Sequence, residues 1–181
     1  MALVARQGAD RVTMEEIAAE AGVGRATVYF HYPNKGAILI DNFRDQLGRQ
    51  LRLHEHLLGT GPLGFARIRD WIDGFIAVLI DHRNELSLFQ VSVTRDSELK
   101  AMVVEHRERL LGLLVSRSEG LAAALGGPDE RRLRTEALLM LLEVDQFSSS
   151  IASQYPGLDR QIGTDLVARR LWDFIAGLEG Q

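Results

Sequence analysis

Thr13-Met-Glu-Glu-Ile-Ala-Ala-Glu-Ala-Gly22-Val-Gly-Arg25-Ala-Thr-Val-Tyr-Phe-His31 is the stretch that decides the architecture. Thr13 with Glu16 three residues on reads as a capping box, in which side chains satisfy the orphan amides at a helix start. Ile17, Ala18 and Ala21 supply the buried face of a short helix, and Gly22 follows where a left-handed residue is needed. Gly24 stands at the N-cap of a second short helix, Arg25 to His31, and Val23 is expected to plug a small core at the turn. Two short helices joined by a glycine-containing turn make a helix-turn-helix. Ala18 is small where the two helices would cross closely.

The chemistry follows from that geometry. The second helix of such a pair lies in a DNA major groove, and its N-terminal residues meet base edges. Arg25, Ala26 and Thr27 hold those positions. Arg25 is placed for guanine O6/N7 or a phosphate, and Ala26 and the Thr27 methyl for a thymine methyl. Tyr29, His31 and Lys35 are placed for phosphates, which fix register but carry little sequence information. The chain as a whole is acidic, with a net charge of −4, so a nucleic-acid site has to be a local patch. Gly22 to Gly36 is such a patch: it contains Arg25, His31 and Lys35 and no Asp or Glu.

Outward from this stretch, apolar residues recur at helical spacing. The stripes run through Ile40–Leu58, Phe65–Leu79, Leu99–Leu114, Leu133–Ile151 and Val167–Leu178. No convincing period-2 run lies between turn signals, so strands are not expected. Gly59-Thr-Gly-Pro62, Gly126-Gly-Pro-Asp129 and Tyr155-Pro-Gly157 separate the stripes. The reading is an all-α chain of about nine helices: 2–7, 14–21, 25–31, 34–58, 63–82, 84–93, 97–125, 128–154 and 159–179. An N-terminal three-helix DNA-binding domain, 1–44, precedes a C-terminal helical bundle for ligand binding and dimerisation, 45–181.

The 181 residues are 46% hydrophobic and 25% charged, the composition of a globular chain. No apolar run approaches the roughly 20 residues of a membrane span. With no cysteine, a disulfide scaffold, a thiol nucleophile and a Cys-ligated metal are excluded. Met1-Ala-Leu-Val-Ala-Arg6 does not read as a secretion signal, which leads to the expectation of a cytoplasmic protein. His54-Glu-His56 suggests a metal pair, but residues two apart on a helix point about 200° apart, and a solvated helix end is expected instead. Neither a Gly-x-Ser-x-Gly elbow nor a Gly-rich phosphate loop occurs, and Glu143 and Asp145 do not converge on a helix. The expectation is a protein that is not an enzyme and holds no metal or cofactor.

The continuation Thr27-Val-Tyr-Phe-His-Tyr-Pro-Asn-Lys35-Gly-Ala-Ile-Leu39 resembles the TetR family signature: a reading helix ending in aromatics, then His-aromatic-Pro-polar-Lys, then a new helix. The resemblance covers roughly Val4 to Phe43. It implies that Thr13 caps its helix and touches a phosphate, that Phe30 shares the DNA-facing surface, and that Tyr32 packs inside the small domain. It implies a homodimer paired through the last two helices. Phe147-Ser-Ser-Ser-Ile-Ala-Ser153 supports this with small side chains that permit close approach. The expected interface residues are Phe147, Ser148, Ile151, Ala152, Val167, Leu171 and Phe174. It also implies an effector cavity, for which Trp71, Phe75, Phe89, Gln90, His106, Met140, Glu143 and Gln146 are the candidates. The expected function is a repressor of a palindromic double-stranded operator, released by an unidentified small molecule. The family's first helix has about fifteen residues, whereas only Met1–Gln7 precede Gly8 here, Leu3 and Val4 matching its second half. The rival reading is therefore a helical ligand-binding or interaction protein whose DNA binding is impaired by a short first helix.

Overall fold

The computed structural model describes residues 12–83 and 96–179. These contain eight α-helices and no strand: α1 Met14–Glu20, α2 Arg25–His31, α3 Lys35–Leu58, α4 Phe65–Asp81, α5 Ser97–Val115, α6 Glu119–Ala124, α7 Glu130–Ala152 and α8 Arg160–Ala176. The all-α expectation holds. The expected helices 2–7 and 84–93 lie outside the described residues.

One expected helix, 97–125, is two. The chain turns at 116–118, and the Ser118 hydroxyl accepts from the Leu121 amide at 3.0 Å to start α6. A serine that can bond the backbone ahead of it competes with continued helix, and it does so here just past the end of the Leu99–Leu114 stripe.

Of the described residues, 12–49 with 96–103 form one compact unit, and 50–83 with 104–179 form a second. In the first, the capping box is complete. Thr13 N donates to Glu16 Oε2 at 2.8 Å, and Glu16 N donates to Thr13 Oγ1 at 3.2 Å. Gly22 takes a φ of 67°, which lets the Val23 amide return to the Ala18 carbonyl. Met14, Ala18 and Val28 are buried together, with Ile17, Tyr32 and Ile38 against them. Tyr32 thus packs inward as expected, its hydroxyl donating to Asp41 at 2.8 Å. Val23 does not plug this core: it is 43% exposed. The turn that reverses the chain after α1 leaves its side chain outside, and Val28 from α2 fills the space.

In the second unit, α4 packs against α7 and α8, which pack against each other. Ile68, Trp71, Ile72 and Ile76 of α4 meet Leu141 and Val144 of α7 and Ala168, Leu171 and Ile175 of α8, all buried. The α7–α8 crossing depends on Gly163. A Cβ there would lie 2.2 Å from the Phe147 ring, so only a bare backbone admits that ring. Among the described residues no helix is long and apolar enough to cross a membrane.

Candidate nucleic-acid interface

Helix α2 buries one side chain, Val28, and presents the rest to solvent. Gly24, Arg25, Ala26 and Thr27 are all exposed, as are Tyr29 and His31. Phe30 is 85% exposed, and its ring makes an edge-to-face contact with His31, with centroids 5.1 Å apart. An aromatic ring left open on a short helix in an acid-free stretch has no folding role and offers an apolar contact to a partner.

Arg25, the first residue of α2, is held on two sides. Its Nε lies 3.0 Å from Glu15 Oε1 of α1, and its guanidinium carbon sits 5.3 Å from the Tyr29 ring centroid. Sequence reasoning picked out Arg25 and missed Glu15. An acidic residue ten positions earlier carries no local signal of this pairing until the two helices are crossed.

Two expected phosphate contacts have other commitments. The Thr13 hydroxyl donates to Glu16 Oε2 at 2.9 Å, so its proton is already used inside the capping box. Those hydrogen bonds also hold the exposed Glu16 carboxyl below its usual range. Lys35 is half-buried and donates to the Val12 carbonyl at 2.9 Å, tying the chain before α1 to the start of α3. An ammonium has three donors, so this bond leaves two for a phosphate. Asn34, not part of the reading, caps α3 by accepting from the Ala37 amide at 3.0 Å.

Residues expected in an effector cavity divide. Trp71, Phe75 and His106 are buried together around His54, which is not at a solvated helix end. His54 is 1% exposed, with its ring centroid 4.5 Å from Phe75, 5.7 Å from Trp71 and 5.8 Å from His106. Trp71 Nε1 donates to His54 Nδ1 at 3.0 Å. Burial pushes the His54 imidazole down to about 3, with His106 adding to it. Burial pushes His106 down to about 4, helped by the charges of Arg107 and Arg109. His54 is therefore neutral near pH 7, with Nδ1 accepting and its proton on Nε2. Nε2 is buried without a partner. His56 is exposed, so His54 and His56 do not share an ion.

The other candidates do not join this cluster. Met140 packs at the edge of the main core. Glu143 is paired with Arg170, and the exposed Gln146 donates to Ser150 at 3.2 Å. Phe89 and Gln90 lie outside the described residues.

Most expected interface residues are turned inward. Phe147, Ser148, Ala152, Val167 and Leu171 are buried within the chain itself. Ile151 and Phe174 are half-buried against that core. Burying this stripe leaves a different one outside: Leu139 and Leu142 on α7, Ile162 and Leu166 on α8, and Tyr155 and Leu158 between the helices.

Residues 1–41 match the model of the bacterial regulatory proteins of the tetR family. The N-terminal segment is similar to the regulatory module of that family. Over nearly its whole length the chain shares its fold with solved structures of regulators. One is a candidate transcriptional regulator from Pseudomonas aeruginosa PAO1, 21% identical, with a TM-score of 0.72 over 99% of this chain and 86% of that one. A second is the fatty acid degradation regulator FadR from Bacillus halodurans, 19% identical, with a TM-score of 0.64 over 93% and 91%. A third is the transcriptional regulator FadR from Bacillus subtilis in complex with stearoyl-CoA, 21% identical, with a TM-score of 0.68 over 95% and 93%. No curated protein matches the chain. The TetR-type match ends within α3, and beyond it the likeness is one of fold.

Proposed function

We propose that this chain is a TetR-type transcriptional regulator that binds a palindromic DNA operator as a homodimer and represses until a small molecule releases it. The observation that carries the reading is the outer surface of α2: Arg25 at its first turn, Phe30 85% exposed, and no acid from Gly22 to Gly36. The DNA-binding part is residues 1–44, with Gly24, Arg25, Ala26, Thr27 and Phe30 facing base edges. Tyr29, His31, Lys35 and the Thr13 turn face phosphates. The effector and dimer part is residues 45–181.

The second subunit is a copy of this chain docked on the outer stripe of α7 and α8. Exposed Leu142, Ile162 and Leu166 support this, since such a patch on a charged surface favours burial. A two-fold pair presents two reading helices to half-sites about 34 Å apart. The effector region is the His54–Trp71–Phe75–His106 cluster. An unpartnered N–H in an aromatic setting suits an apolar ligand carrying one hydrogen-bond acceptor. The stearoyl-CoA held by the Bacillus subtilis relative makes long-chain acyl thioesters the first class to try. A ligand that prefers a conformation with misplaced reading helices releases DNA by that difference in affinity.

Gel retardation of a randomised duplex pool, repeated across salt and with competitor DNA, tests the reading. Retention that survives competitor and weakens steeply with salt supports it. Failure to retard any duplex gives preference to a helical ligand-binding protein without DNA function.

A further inference from the structure

The Arg25 guanidinium approaches α1 through its Nε edge. Nε lies 3.0 Å from Glu15 Oε1 as an ion pair without hydrogen-bond alignment, and the guanidinium carbon sits 5.3 Å from the Tyr29 ring centroid. No hydrogen bond among the described residues occupies its two Nη groups, the fork that matches guanine O6 and N7. Arg25 and Glu15 are 66% and 50% exposed in their side chains, so the pair sits at the surface that meets DNA rather than inside the core. A free arginine side chain samples many rotamers and loses that freedom on binding. A carboxylate beside Nε and a ring within cation–π reach remove part of it beforehand.

Resting on the DNA-binding reading above, we infer that Glu15 is a specificity-determining positioning residue: it orients Arg25 for bidentate base recognition and opposes its use on phosphates. The opposition is electrostatic. Glu15 brings a negative charge beside the acid-free stretch 22–36. On unspecific DNA the pair has to break for Arg25 to neutralise a phosphate, or else the carboxylate stays beside the backbone. On a guanine in register, Nε keeps Glu15 while both Nη groups bind the base. Nonspecific complexes are thereby weakened and the matched one is spared, which widens the ratio between them. Glu15 accepts no hydrogen bond within α1, its neighbour Glu16 being the capping partner of Thr13. Removing it leaves the helix start intact.

Full-length wild type, Glu15→Ala, Glu15→Gln, Arg25→Ala and the Glu15→Ala/Arg25→Ala double variant are each put through selection on a randomised duplex pool. Each is then titrated on random duplex across salt. The position read by Arg25 is the one whose preference Arg25→Ala erases. Glu15→Ala lowers base discrimination at that position roughly tenfold. It raises random-duplex affinity roughly threefold at low salt and steepens the salt slope by about one. Glu15→Gln, which still offers Nε an acceptor, raises random-duplex affinity while keeping the base preference. In the double variant Glu15→Ala adds nothing at that position. Unchanged preference in Glu15→Ala, or an equal loss on all duplexes, overturns the inference while wild-type selection still upholds DNA binding. A wild type that selects no sequence overturns the DNA-binding reading itself, and this inference with it.

Discussion

Phe30→Ala separates a reading surface from a structural one. Fully burying a Phe side chain stabilises by about 1.5–3 kcal/mol. Phe30 is 85% exposed, so folding draws on only a small part of that, under about 0.5 kcal/mol. For a chain of this size such a loss moves the melting temperature by at most about 2 °C. Against DNA the ring has most of its surface still to cover. Covering half of it against a thymine methyl or sugar is worth about 1 kcal/mol per half-site, or roughly fivefold in affinity at each. Calorimetry on the free protein and fluorescence anisotropy on a selected duplex at fixed salt read the two quantities. The account predicts an unmoved melt and weakened binding. A melt lowered by more than about 5 °C with unchanged DNA affinity would show that the ring packs within the chain and refute the reasoning.

Lys35→Met removes the bond to the Val12 carbonyl and a cation together. It is expected to lower stability by about 1 kcal/mol and the salt slope by about one, read by denaturant melts and a salt titration. Ile162→Glu puts a charge on a side chain that is 63% exposed. It is expected to give a folded monomer in analytical ultracentrifugation, with wild-type helical content by circular dichroism. The buried histidines give a pH dependence of definite sign. The folded values of His54 and His106, about 3 and about 4, lie below the unfolded 6.5. Their contribution is full above about 6.5 and is lost as pH falls toward 4, because the unfolded chain takes up protons first. The urea midpoint is expected to fall between pH 7 and 5, and a midpoint constant across that window would contradict the burial.

The reading module was legible because its signals are local. Thr13 and Glu16 satisfy each other's orphan groups three residues apart, and Gly22 occupies the one backbone conformation that favours glycine. Exposure of α2 followed from having one apolar residue, Val28, that faces α1. The bundle was legible as helices and not as faces. On α7 the more regular apolar stripe, through Leu133, Ala137, Leu141 and Val144, meets the chain's own core. The interface was expected to continue that stripe, whereas Leu139 and Leu142 lie on the other side. His54 stands three residues after Leu51 and four before Leu58, a spacing that puts it on a buried face. Its polarity outweighed that periodicity in the reading, yet Trp71 supplies the hydrogen bond that permits its burial. Glu15 and Arg25 are neighbours only through tertiary structure.

The most direct test of the central claim is sequencing the duplexes that full-length protein retains from a randomised pool through successive rounds at moderate salt. The account predicts convergence on an inverted repeat whose half-sites are centred about one helical turn apart or a multiple of it. A retained pool with the same base composition and spacing as the input would contradict it.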